Sequence, residues 1–202
     1  MTITLIRPVL FMNRLNVLLI ESDPDNILLE NSLKNSGFKL LKARYSPEFL
    51  ELIKEIKPDI IICNLDTPST KLLTDLKTLN YQFPLPVVMF ASDGNMDTIN
   101  QVINAEVSAY IVDGLAHNRI HSIITVAIAR FRHQQSLNLA LEEARAKLED
   151  RKQIDRAKAI LIKTQNFTED AAYHTLRKLA MDRNITMGEM AKNVIAMSEL
   201  FK

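Results

Sequence analysis

The chain has 202 residues, 47% of them hydrophobic, with 25 Lys/Arg against 24 Asp/Glu and a formal net charge of +1. That is enough apolar material to bury a core in one large or two small domains, which excludes a disordered chain. Apolar runs such as Ile60–Ile62 and Val87–Phe90 fall far short of the roughly 20 residues a membrane helix needs, and the N-terminal stretch lacks a signal-peptide cleavage pattern, so a cytoplasmic protein is expected.

Five short apolar runs follow one another in the first part of the chain: Val17–Ile20, Phe38–Leu41, Ile60–Cys63, Val87–Phe90 and Ala109–Val112. Each is bounded by turn-forming residues and reads as a buried strand. Helical spacing fills the gaps, with Ile27, Leu28 and Leu33, then Phe49, Leu50, Ile53 and Ile56, then Leu72, Leu73, Leu76 and Leu79, then Ile99, Val102 and Ile103. This alternation predicts a flavodoxin-like α/β fold, a five-stranded parallel sheet in the order 2-1-3-4-5 with helices on both faces. The single cysteine, Cys63, lies inside the third run, so neither a disulfide framework nor a cysteine metal site is expected.

No Gly or Pro occurs between residues 118 and 164, and the segment is rich in good helix formers. It predicts one long helix. Ile120, Ile123, Ala127, Leu137, Leu141, Ala144 and Leu148 fall on a heptad register that Arg130 and Gln134 interrupt. The helix either packs back on its own domain or pairs with a second copy; because Leu137–Leu148 lies beyond the reach of the sheet, a parallel coiled-coil homodimer is the favoured expectation.

Two further helices are expected after it. Thr168 is placed to cap the first, with Glu169 and Asp170 complementing its dipole and Ala172, Leu176, Leu179 and Ala180 as its apolar stripe. Thr186 and Glu189 form a capping box for the second, with Met190, Val194, Ile195 and Met197 inward. Ala157, Leu161, Leu176, Met181 and Tyr173 are also expected in the core of this three-helix bundle. From Arg151 to Lys202 the chain carries ten Lys/Arg and six Asp/Glu, net +4, leaving net −3 for the first 150 residues. A basic helical tail on a mildly acidic body suits an anionic partner.

Chemistry in an open parallel sheet sits at the carboxyl ends of the strands. There the sequence places Glu21-Ser22-Asp23, Asn64, Ala91-Ser92 and Asp113. Together with Pro58-Asp59 opening the third strand and Pro68 four residues past Asn64, this layout resembles a response-regulator receiver domain. The resemblance implies Mg²⁺ held by acidic residues, an aspartate nucleophile at the third strand, and a hydroxyl and a lysine holding the phosphoryl oxygens. By position, Asn64 replaces the nucleophile, Ala91 the hydroxyl residue and Asp113 the lysine, and only Glu21 and Asp23 keep the acidic pair in part. A degenerate, non-enzymatic site with no metal or cofactor is expected. Asp66 is the alternative carboxylate, two residues on and on the same strand face. His117 and His121 have helical i,i+4 spacing but no evident third metal ligand.

The tail carries Arg151-Lys-Gln-Ile-Asp-Arg-Ala-Lys-Ala-Ile-Leu-Ile, Phe167-Thr-Glu-Asp-Ala-Ala-Tyr, Leu176-Arg-Lys-Leu-Ala-Met181 and Ala191-Lys-Asn-Val-Ile195. These segments are similar to an ANTAR domain, the three-helix RNA-binding module of transcription antiterminators. With the degenerate receiver and its Val107–Leu115 stretch, the chain resembles the nitrate regulatory antiterminators of the NasT type. The resulting division is 14–116 pseudo-receiver, 117–150 coiled-coil linker helix and 151–202 ANTAR domain. The resemblance implies binding to paired stem-loops in a leader mRNA, controlled by a nitrate- or nitrite-sensing inhibitory protein in place of phosphorylation. Arg156, Lys158, Arg177, Lys178, Arg183, Asn184 and Lys192 are the candidate RNA contacts. A DNA-binding response regulator is the alternative, although no helix-turn-helix pattern is evident.

Overall fold

The computed structural model describes residues 15–22, 27–113 and 119–200. It divides into two compact units, one within residues 1–134 and one within 135–202.

In the first unit, β1 (Asn16–Glu21), β2 (Lys39–Ala43), β3 (Ile60–Leu65), β4 (Val87–Ala91) and β5 (Ala109–Val112) alternate with α1 (Ile27–Asn35), α2 (Phe49–Ile56), α3 (Thr70–Gln82) and α4 (Met96–Asn104). The strands pair in parallel in the order β2-β1-β3-β4-β5. The pleat sends alternate residues to opposite faces, and this sorts the apolar strands into two cores. Leu18, Ile20, Ile61, Cys63, Val87 and Met89 meet α2, α3 and Val102 of α4 on one face. Val17, Leu19, Ile60, Ile62, Val88 and Phe90 meet Leu29 and Leu33 of α1 and the beginning of α5 (Ile120–Gln165) on the other. Burial on both faces explains why these strands read as continuous apolar runs. It also pushes the Cys63 thiol up to about 12, so that thiol is inert.

The second strand differs from its sequence expectation. Gly37 adopts φ 83° at the end of α1, with its N–H donating to the Lys34 carbonyl (3.0 Å) and the Phe38 N–H donating to that of Leu33 (3.3 Å). This is the paired bonding of a Schellman stop. Phe38 therefore belongs to the helix cap, and β2 starts one residue later and runs on to Ala43. On the helices, Ile27 and Ile103 are exposed where the spacing placed them inward; Val102 and Leu33 carry those packing faces. The side chain of Leu28 lies outside the described residues.

In the second unit, the last turns of α5 pack with α6 (Glu169–Asp182) and α7 (Met187–Leu200) around Ala157, Leu176, Ala180, Met190, Ala191 and Ile195. Local chemistry sets each helix boundary. Thr168 Oγ1 accepts from the Ala171 N–H at 3.2 Å, and Thr186 and Glu189 exchange bonds of 2.9 and 3.1 Å across a capping box. Asn184, at φ 52°, ends α6 in a second Schellman stop: its N–H reaches the Met181 carbonyl and the Ile185 N–H that of Ala180. A Cβ at Gly188 would overlap the Asp150 carboxylate, which therefore lies against the amino end of α7, where the helix dipole favours negative charge.

Three residues expected in this core are outside it. Met181 is 70% exposed, because it lies one turn beyond Arg177 on the outer face of α6, away from the Leu176–Ala180 stripe. Tyr173, one turn before Arg177, is likewise exposed and meets the His174 ring edge-on at 5.9 Å. Met197 is exposed in the last turn of α7, past Ile195. The heptad positions of α5 behave in two ways: Ile120 and Ala127 are buried in the sheet core and Ile123 is packed against it, whereas Leu137, Leu141 and Leu148 are exposed by half or more.

Because a β-branched residue is strained at positive φ, Asn184→Val is expected to destabilise the α6–α7 turn by about 1–2 kcal/mol. Asn184→Gly is expected to be tolerated. Native-state hydrogen exchange of amides in α6 and α7 of the full chain separates the two.

Candidate functional site

Strand parity brings Glu21, Asn64 and Lys42 to one place. Glu21 follows Val17 and Leu19 on the α1 face of β1, Asn64 follows Ile60 and Ile62 on β3, and Lys42 follows Leu40 on β2. Glu21 and Asn64 are register partners at the tips of β1 and β3. The Ser22 N–H donates to the Asn64 carbonyl at 3.2 Å.

The Glu21 carboxylate is buried, with its residue only 3% exposed. Its Oε1 accepts a long hydrogen bond from Asn64 Nδ2 (3.4 Å), and its Oε2 lies 2.8 Å from Lys42 Nζ. The same ammonium reaches Glu30 Oε2 of α1 at 3.2 Å, while Glu30 also pairs with Lys34 one turn along the helix. The lysine's pKa is raised, chiefly by the Glu21 carboxylate beside it, and that of Glu30 is lowered, first by Lys34 and then by Lys42; the Lys42–Glu21 contact is an ion pair by distance, without the alignment of a hydrogen bond. Lys42 and Glu30 are the members of this site that sequence reasoning missed; Lys42 is the one the strand pattern could have found. Its signal was present: a lysine two residues past Leu40 shares that residue's inward face whenever the strand extends to it.

The other strand-end residues serve the backbone. The Asp113 N–H donates to the Ala91 carbonyl at 3.0 Å, and Asp113 sits exposed at φ 47°, a conformation that Asp tolerates better than most residues. Asp66 lies just past β3 with an exposed side chain, and its carbonyl accepts the N–H groups of Ser92 and Asp93, both at 3.1 Å. Asp59, of the Pro-Asp pair, accepts the Asn16 N–H at 2.8 Å and so ties β3 to the start of β1. Asp23 and His117 lie outside the described residues; His121 is exposed and stacks on Phe38 with centroids 6.2 Å apart.

Among the described residues, this donor set does not fit a receiver's magnesium and phosphoryl group. Both oxygens of Glu21 face donors of the chain itself, Asn64 turns its amide nitrogen toward that carboxylate, and neither Ala91 nor Asp113 offers a cation or hydroxyl to a phosphoryl oxygen.

In the tail, the candidate contacts fall into two kinds. Arg177 and Lys178 are exposed on α6, Arg183 and Asn184 form its C-terminal turn, and Lys192 is exposed on α7. Lys158 is mostly buried, its side chain 16% exposed, and it bridges Asp155 and Glu169 at 2.9 Å each. Those partners raise its pKa, Asp155 contributing most. Arg156 pairs with Glu199 of α7 at 2.9 Å, both side chains remaining open to solvent. Lys158 thus meets the start of α6 and Arg183 marks its end, about 20 Å apart at 1.5 Å per residue. Tyr173 and Met181, which sequence reasoning placed in the core, bracket Arg177 on the exposed face.

Fold and sites together define a regulator with a receiver domain and an ANTAR domain. The response regulator receiver domain family matches residues 17–125, more than half of the chain, and the ANTAR domain family matches 142–195. The chain belongs to the response-regulator receiver family and carries an ANTAR domain in its tail.

Among its relatives is the transcriptional regulatory protein PdtaR of Mycobacterium tuberculosis, 26% identical over 83% of this chain and 82% of that protein. The nitrate regulatory protein of Klebsiella oxytoca is 37% identical over 68 residues, 34% of this chain but 17% of its own length. A response regulator from Thermotoga maritima covers 57% of this chain and 98% of its own at TM-score 0.50 and 15% identity. A two-component response regulator from Clostridium difficile does so over 57% and 97% at TM-score 0.50 and 20% identity. These two likenesses concern the fold alone.

Incubation with acetyl phosphate and Mg²⁺ is expected to leave the intact mass unchanged; a stable phosphoryl adduct would show that Asp66 or another carboxylate still reacts. The tail should also respond to acid. Glu189 is held below its ordinary value of 4.5, first by the Thr186 N–H, so its cap stabilises α7 above about pH 4.5 and is lost as pH falls through the lower folded-state value. Glu189→Gln should therefore flatten the pH dependence of α7 amide protection between pH 6 and 3.

Proposed function

We propose that the chain is an RNA-binding transcription antiterminator. In this reading the tail binds paired stem-loops in a leader transcript and prevents a terminator hairpin from forming. The observation that carries it is the outer face of α6, where exposed Tyr173, Arg177, Lys178 and Met181 precede the exposed Arg183-Asn184 turn on an ANTAR domain. Cationic groups attract phosphate, and an exposed aromatic ring offers a stacking platform for an unpaired loop base. The ion pairs of Arg156 and Lys158 give these two a different part: they join α5 to α7 and to α6, and so hold the outer face in shape.

Control comes from a protein. The altered strand-end residues leave no route for a phosphoryl signal, and a ligand-sensing inhibitory partner supplies the input. The 68-residue likeness to a nitrate regulatory protein supports nitrate or nitrite assimilation genes as targets. Exposed Leu137, Leu141 and Leu148 support a homodimer through α5, which presents two RNA modules to two hairpins at high effective concentration. The described residues contain no helix long and apolar enough to cross a membrane, and a protein that acts on a nascent transcript works in the cytoplasm.

Gel shifts with a two-hairpin leader RNA, a single hairpin and duplex DNA test the reading. Tight binding to the two-hairpin RNA is expected, and preference for duplex DNA would replace it with a DNA-binding regulator. Tyr173→Ala should weaken RNA binding by about 1–3 kcal/mol. Arg177→Ala combined with Lys178→Ala should weaken it and reduce the salt dependence by about two counterions. Removing the chain before Arg151 should harm two-hairpin binding far more than one-hairpin binding; equal losses would remove the dimer from the mechanism.

A further inference from the structure

We infer that the Lys42 ammonium takes over the electrostatic task of the divalent cation at the strand ends, so that the receiver domain is held in a single cation-independent state. Glu21 sets the requirement. Its carboxylate is nearly inaccessible, and a buried charge persists only when paired. In a receiver the pairing charge is a metal ion bound from solution; here it is a side chain of the domain's own edge strand, 2.8 Å from Glu21 Oε2.

Three features make Lys42 suited to that role. The α1 Schellman stop starts β2 at Lys39, and strand alternation then aims Lys42 at the α1 face together with Glu21 and Asn64. Glu30 provides a second carboxylate at 3.2 Å, so the ammonium is held between β1 and α1. Asn64 completes the site with an amide nitrogen that donates to Glu21 Oε1. A carboxylate at that position would add a negative charge beside Glu21, whereas the amide adds none and leaves Lys42 to serve Glu21 and Glu30 among the described residues.

The exchange has a regulatory meaning. A bound cation can come and go with a phosphoryl group, whereas a lysine in the chain is always present. The domain then has no small-ion input at this site, which is what the proposed control by a partner protein requires.

The experiment measures Mn²⁺ binding by electron paramagnetic resonance, together with thermal unfolding, for the full-length wild type, Lys42→Met and the double variant Lys42→Met with Glu21→Gln. The wild type should bind no Mn²⁺ at this site and should unfold at the same temperature with or without the metal. Lys42→Met should melt about 5–10 °C lower in metal-free buffer, bind Mn²⁺, and regain part of the lost stability from it. The double variant, with the buried charge removed, should regain stability without metal and bind none. If Lys42→Met does not fold in metal-free buffer, refolding is repeated in Mn²⁺: rescue supports the inference and no rescue overturns it. Mn²⁺ binding by Lys42→Met that is equal to or weaker than that of the wild type also overturns it.

Discussion

The Glu21 carboxylate, buried at the tip of a central strand, requires a positive charge beside it, and the strand-end region is organised around meeting that requirement. Parallel pairing sets Glu21 opposite Asn64, the left-handed Gly37 sets where β2 begins, and β2 then delivers Lys42 from the sheet edge. None of these features is large. Together they join Glu21, Asn64 and Lys42 through an ion pair and a long hydrogen bond, with Glu30 holding the lysine from the helix side. Neutralisation within the chain lets this receiver fold carry a buried carboxylate at the strand tip beside the neutral Asn64 amide.

The helical tail follows the same logic by different means. Its core is built from small residues, Ala157, Ala180 and Ala191 among them, with Leu176, Met190 and Ile195. A core of this size provides modest stabilisation, so the boundaries of the helices carry unusual weight. The Thr168 cap, the Thr186–Glu189 box, the Asn184 stop and the close approach of Asp150 to Gly188 set where each helix begins and ends. The register fixed in this way is what turns Tyr173, Arg177 and Met181 outward together. Exposed apolar and aromatic side chains beside cations suit a partner that offers both charge and planar bases.

Much of this was legible from residue order. Strand and helix alternation yields the sheet order, because parallel strands buried on both faces must be apolar throughout and must be joined by helices. The altered receiver residues and the ANTAR segments are local in sequence, so they could be read without knowing any long-range contact. The same holds for the caps at Thr168 and Thr186, which depend on residues three apart.

What the sequence alone could not settle was decided by contacts between distant segments. Periodicity places Met181 and Tyr173 near the apolar stripe of α6, but only packing shows that the stripe ends with Ala180 and leaves both side chains outside. Lys158 reads as a free cation until Glu169, eleven residues away, is brought to it by the turn between α5 and α6. Lys42 is the clearest instance: strand alternation can place it on the inward face with Leu40, but nothing in residue order names its partner, and its role exists only because β1, β2 and α1 converge on Glu21. The fold and the identity of the strand-end residues are thus properties of the amino-acid order, since they follow from residue type and local spacing. The replacement of an external cation by an internal one is a property of the tertiary structure, since electrostatic pairing depends on distances of a few ångströms that residue order does not contain.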